Sequence, residues 1–112
     1  MKAYDVGLKG EKEALKYLEK QGMKPVDSRV RLGRGEIDLI MRDGDCTVFV
    51  EVKYRPQGEA GEGFEAITQD KRRRMIHAAS VYLEKNGLWD TAARFDVVEI
   101  TSQGISHLPN AF

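Results

Sequence analysis

Two carboxylates and a lysine stand out by type and spacing: Asp38, then Glu51 and Lys53. Each lies in a stretch of alternating character. From Glu36 to Arg42, the side chains of Ile37, Leu39 and Met41 point one way, and those of Glu36, Asp38 and Ile40 the other. From Thr47 to Tyr54, Val48, Val50 and Val52 oppose Phe49, Glu51 and Lys53. A period of two residues is the signature of a strand. The intervening Asp43-Gly44-Asp45 is a hairpin signal. A two-residue loop at Asp43-Gly44 or at Gly44-Asp45 puts even positions of the first strand on one face with odd positions of the second. Asp38, Glu51 and Lys53 therefore share a face. In the second register Asp38 sits directly opposite Glu51, with Cβ atoms roughly 4.5–5.5 Å apart.

Like charges placed that way repel and destabilise the strand pair. A divalent cation removes the penalty. Mg²⁺ takes hard oxygen ligands, commonly one or two carboxylates together with waters and substrate phosphate. Held there, it would polarise a phosphodiester and activate water at neutral pH. Lys53 reaches the same space, where an amine can orient or deprotonate water or stabilise charge on phosphate. The plainer alternative is the solvated face of an antiparallel hairpin, polar side out. Ile40 and Phe49 lie on that same face, which argues against free solvation. The opposite face (Ile37, Leu39, Met41, Val48, Val50, Val52) is wholly apolar and belongs to the core. Glu36 also faces the site, though an exposed hairpin end accounts for it better than a supporting acid does.

The elements that must carry these groups can be read along the chain. Residues 4 to 21 form a helix, with Tyr4, Leu8, Glu11, Leu15 and Leu18 on one face. Gly22 ends it in the left-handed position that glycine favours. Glu11 is thus a carboxylate on an inward stripe, and must be paired, hydrogen-bonded or bound to a cation. Met23 to Leu32 is extended, with Pro25 keeping it out of a central strand's interior. Gly33-Arg34-Gly35 is a turn. The stretch from Arg55 to Gly63, rich in glycine and poor in large apolar residues, reads as a mobile loop. Thr68 caps a second helix that runs to Asn86-Gly87, with Met75, Ala78, Ala79, Tyr82 and Leu83 on its inner side. Arg94 to Thr101 is a fourth strand, and a short last one includes Ile105 and His107. The order αβββαβ, with that added strand, predicts an α/β domain over residues 1–112: a sheet of four to five strands flanked by helices.

These residues also carry a resemblance. Gly35-Glu36-Ile37-Asp38-Leu39-Ile40 followed by Phe49-Val50-Glu51-Val52-Lys53 resembles the active-site pattern of the PD-(D/E)XK nuclease superfamily. The chain is more closely similar to the YraN family of bacterial proteins, itself similar to archaeal Holliday junction resolvases. Gly7, Gly10 and Glu11 on the first helix, Lys71 on the second, Arg94-Phe95-Asp96-Val97-Val98 and Asn110-Ala111-Phe112 extend the likeness over nearly the whole chain. The resemblance implies a restriction-endonuclease-like core with a mixed sheet. It implies that Asp38 and Glu51, with the backbone carbonyl of Val52, ligate Mg²⁺ or Mn²⁺. Lys53 would be the catalytic lysine, and Glu11 a helix-borne acid acting on the metal directly or through water. The pattern's leading proline is absent, since Ile37 precedes Asp38.

Composition is consistent with such an enzyme and narrows the alternatives. The chain has 112 residues, with 18 Lys plus Arg against 18 Asp plus Glu. Zero net charge argues against a protein that coats DNA by bulk electrostatics, but allows a local basic track beside an acidic site. One cysteine, Cys46, permits no internal disulfide and points to a reducing, cytoplasmic setting. His77 and His107 are too far apart in sequence for a zinc motif, and neither is assigned a role. No apolar run approaches the roughly 20 residues of a membrane span, and the N-terminus carries no apolar signal region.

The densest positive run is Lys71-Arg72-Arg73-Arg74. Consecutive helical residues point around the circumference, so Lys71 and one arginine, such as Arg72, are the expected phosphate contacts. Arg34 and Arg55, flanking the acidic strands, extend the track, and Gln69 can hydrogen-bond phosphate. Trp89 reads as a packing anchor. The leading expectation is an endonuclease acting on DNA, with branched or single-stranded substrates, working as a homodimer where two strands must be cut. A nucleic-acid-binding module with little catalysis is the alternative, and a protein-interaction module using the 55–63 loop is the third reading.

Overall fold

The computed structural model describes residues 3–58 and 67–112, the first four of them by backbone alone. The Tyr4 side chain and most of the glycine-rich loop expected after Arg55 thus lie outside the described residues. Among the described residues the elements are α1 (Ala3–Lys20), β1 (Lys24–Leu32), β2 (Gly35–Asp43), β3 (Cys46–Arg55), α2 (Gln69–Lys85), β4 (Ala93–Thr101) and β5 (Gly104–Leu108). The five strands form one sheet in the order β1-β2-β3-β4-β5. β3 and β4 run parallel and every other pair is antiparallel. The short β2–β3 and β4–β5 connections make hairpins. The parallel β3–β4 pair needs a longer crossover, which contains α2.

The two helices cover opposite faces. Val48 and Val50 of β3 pack with Ala14 and Leu18 of α1, and with Leu39, Met41, Val98 and Ile100. Phe49, one residue out of phase, packs with Met75, Ala78 and Ala79 of α2. Gly22 adopts φ +96° just past α1. Thr68 caps α2, its hydroxyl accepting the Lys71 N–H at 3.1 Å. The sequence places both helix ends correctly because each rests on local chemistry: a left-handed glycine, and a hydroxyl that satisfies an orphan amide.

Two close approaches hold the helices to the sheet. A Cβ at Gly10 would lie 2.6 Å from the Cβ of Tyr54, so α1 packs directly on β3. A Cβ at Gly35 would lie 2.2 Å from the Arg74 carbonyl oxygen, so the start of β2 touches the backbone of α2. No larger residue fits at either contact without a shift of backbone or ring.

Trp89 differs from expectation: it is 73% exposed, too open to be a buried packing anchor. Its place is taken by an aromatic stack, Phe49 on Phe95 and Phe95 on Phe112, with centroids 5.5 and 4.8 Å apart. Among the described residues, no helix is long and apolar enough to cross a membrane.

Candidate active site

The hairpin adopts the second of the two registers, with Asp43 opposite Cys46 and Leu39 opposite Val50. The β2–β3 ladder ends there, one step before Asp38 would face Glu51. Asp38 instead turns its carboxylate onto the neighbouring backbone, where Oδ2 accepts the Val52 N–H at 2.8 Å. On its other side, the β1–β2 register runs from Ser28 opposite Leu39 to Val30 opposite Ile37, and Arg29 and Asp38 form no ladder pair. Arg29 has φ +50°, a left-handed conformation that costs a non-glycine residue roughly 1–2 kcal/mol. The alternation read from sequence fails at this irregularity. Ile37 joins Ile40 and Phe49 beneath α2, while Leu39 and Met41 join the core beneath α1. Asp38 thus stands where β2 changes face.

Glu51 follows from β3 with its side chain 4% exposed. Its Oε1 accepts a hydrogen bond from the Lys71 ammonium and lies 3.4 Å from the Lys53 ammonium. α2 brings Lys71 here because Gly35 lets the helix lie against the end of β2. Glu11, on α1, is buried and its Oε2 accepts from Arg29 Nε at 2.7 Å. Acid and base therefore meet from α1, β1, β2, β3 and α2 along one end of the sheet.

The electrostatics record the crowding. Burial, reinforced by the Glu51 charge, raises the Asp38 pKa to about 7 despite the Val52 hydrogen bond. Burial also raises that of Glu11, with the Arg29 pair only partly opposing it. At Lys53, burial and the second ammonium outweigh the attraction of Glu51, and its pKa falls. Burial works against the charge on Lys71 too, but there the hydrogen bond and attraction of Glu51 win, and its pKa rises.

Two clefts open on this cluster. One, of about 360 Å³, is lined by Arg34, Gly35, Glu36, Asp38, Glu51, Lys71, Arg74 and Met75. The other, of about 290 Å³, is lined by Gly7, Glu11, Arg29, Glu36, Asp38, Val52 and Tyr54. Asp38 and Glu36 line both. Glu36 is more than an exposed strand end, although it also accepts from the exposed Arg31 at 3.3 Å. Of the residues expected on the basic track, Lys71 and Arg34 line the first cleft. Arg72 instead lays its guanidinium over the Phe112 ring, 5.5 Å from the centroid, because its place on the helix turns it toward the aromatic stack. Arg55 closes β3 and Gln69 is exposed at the start of α2; neither lines a cleft. Among the described residues, no three His, Cys, Asp or Glu side chains converge on a common ion-sized space.

Three participants were not legible as such. Arg29 carried no motif, since its role depends on a backbone irregularity. Arg74 lines the first cleft where Arg72 was expected, a difference set by helix phase. Glu99 is fully buried on β4, paired in register with Lys53 and so on its face. An acid inside the apolar run Val97-Val98-Glu99-Ile100 was the available signal.

The fold and cluster define a class: an α/β protein with a mixed five-stranded sheet, whose broken strand end gathers buried carboxylates and ammonium groups. The model of the family described as "Uncharacterised protein family UPF0102" matches residues 10–100. The chain belongs to this family, the YraN family that its motifs resemble. It is similar to a UPF0102 protein of Chromohalobacter salexigens, 50% identical over 95 residues, covering 85% of this chain and 76% of the relative. A UPF0102 protein of Photorhabdus laumondii is 40% identical over 112 residues, covering 98% of this chain and 89% of the relative. One from Geobacter metallireducens is 44% identical over 111 residues, covering 96% and 91%.

Proposed function

We propose that this chain is a metal-dependent endonuclease that hydrolyses DNA phosphodiester bonds, built on a PD-(D/E)XK-like core, with branched or single-stranded DNA as its substrate. The observation that carries the reading is the buried Glu51 carboxylate, met by the Lys53 and Lys71 ammonium groups and lining with Asp38 a cleft that Arg34, Lys71 and Arg74 share. Binding nucleic acid needs no acidic pair turned toward phosphate; hydrolysis with a divalent ion does.

The donor set fits Mg²⁺ or Mn²⁺. Asp38 and Glu51 would supply carboxylate oxygens, and burial, reinforced by the Glu51 charge, raises the Asp38 pKa, a penalty that a divalent ion would offset. Two carboxylates completed by water and phosphate suffice for Mg²⁺, so a third converging acid is not needed. Val52 would add its backbone carbonyl. Glu11, engaged by Arg29, would act through water. When bound, the ion would polarise the phosphodiester and acidify water.

The chain's own groups do the rest. The Val52 N–H orients Asp38. Lys53, whose burial lowers its pKa, is suited to exchange a proton with water or to face the charge developing on phosphate. Arg34, Lys71 and Arg74 place cations where a backbone phosphate would enter the cleft. One chain offers one such site, so paired incision would use a homodimer. The test is Mn²⁺ binding by calorimetry. Wild type is expected to bind and Glu51→Ala to lose binding; equal binding by both would remove the proposed centre.

A further inference from the structure

Glu51 is held by two ammonium groups at once. Lys71 Nζ donates to Oε1, and Lys53 Nζ lies 3.4 Å from the same oxygen. Asp38, Glu51 and Lys71 line the same cleft. Lys71 also lies in the first turn of α2, the end of a helix that disfavours cations. What retains it there is the carboxylate. We propose that the Lys71 ammonium is the resting occupant of the cation position between Asp38 and Glu51, and that a divalent ion arriving there releases it to a substrate phosphate in the cleft it lines.

The inference rests on the metal-dependent reading above. Charge decides it. A divalent ion cannot share a small buried space with two ammonium groups without strong mutual repulsion. One must leave, and the two differ. The Lys71 side chain is 35% exposed and lines the first cleft beside Arg34 and Arg74. The Lys53 side chain is 18% exposed and lines neither. Lys71 can leave by side-chain rotation alone, because the Thr68 cap and the Gly35 contact hold its backbone. Metal and DNA binding are thereby coupled: the ion adds its own charge and frees a second cation for phosphate.

The experiment is calorimetric titration of Mn²⁺ into wild type, Lys71→Met and Lys71→Arg, each verified as folded by circular dichroism, with DNA affinity measured in Mn²⁺ and in chelator. Lys71→Met is expected to bind Mn²⁺ about tenfold more tightly than wild type, because the competing charge is gone. Lys71→Arg, which keeps the charge, is expected to stay near wild type. Lys71→Met is expected to lower DNA affinity more in Mn²⁺ than in chelator, because only the ion frees the ammonium for phosphate. Unchanged or weaker Mn²⁺ binding by Lys71→Met, with wild-type binding still dependent on Glu51, would overturn this inference alone. So would equal tightening in Lys71→Arg, or a loss of DNA affinity in Lys71→Met as large in chelator as in Mn²⁺. Absence of Mn²⁺ binding in both wild type and Lys71→Met would overturn the metal-dependent reading together with it.

Discussion

Asp38 prefers its proton in the fold. Burial and the Glu51 charge lift its pKa from the ordinary aspartate value to about 7. Because the folded value lies above the unfolded one, the protonated carboxyl favours the native state at low pH. That contribution is lost as pH rises through the folded value. Metal-free wild type should therefore lose stability relative to Asp38→Asn between about pH 4 and about pH 7. Asparagine mimics the neutral carboxyl and can still accept the Val52 N–H. Urea unfolding in chelator at both ends of that range measures the difference, and a constant difference would show that Asp38 does not titrate there. The residue types were readable because Asp38, Glu51 and Lys53 interrupt apolar strands. The Arg29–Glu11 pair was not, since nothing in Val26-Asp27-Ser28-Arg29 marks a left-handed residue.

The elements meet at contacts a single atom can test. Gly35→Ala would drive a Cβ into the Arg74 carbonyl oxygen and the Ala78 Cβ, at 2.2 and 2.8 Å. Overpacking of this kind costs typically 1–3 kcal/mol, roughly, and here it would also push Lys71 away from Glu51. Denaturant unfolding should show the loss; a neutral effect would mean that α2 sits loosely on β2. A second lock joins β4 to the chain's end. Asp96 is fully buried and accepts from Arg94 Nε and the Asn110 N–H, each at 3.0 Å, and contacts His107 Nε2 at 2.7 Å. The Ala111 N–H reaches the Phe95 carbonyl at 2.7 Å, and Phe112 stacks on Phe95. Asp96→Ala should cost about 3 kcal/mol by the same measurement, since it strands buried partners of the lost charge. A loss below about 1 kcal/mol would mark the network as peripheral. Helix caps, the hairpin and the order of elements along the chain were legible because each depends on near neighbours. The Ile37 reversal and the Asp96 lock depend on contacts remote in sequence, beyond the reach of a period-two or period-3.6 pattern.

Across the whole molecule, zero net charge conceals a strongly uneven arrangement. Buried acids sit at one broken end of the sheet, with Arg34, Lys71 and Arg74 around the cleft beside them. An acidic centre for a metal and a basic approach for phosphate are what a compact nuclease needs, and their charges offset each other. The most direct measurement is a cleavage assay with Mn²⁺ on labelled duplex, single-stranded, flap and four-way-junction DNA, comparing wild type with Lys53→Ala. Cutting by wild type and its loss in Lys53→Ala, on at least one of the four DNA forms, is the expected result. Failure of wild type to cut any of them while it binds both Mn²⁺ and DNA, or undiminished cutting by Lys53→Ala, would contradict the assignment of this site as a nuclease centre.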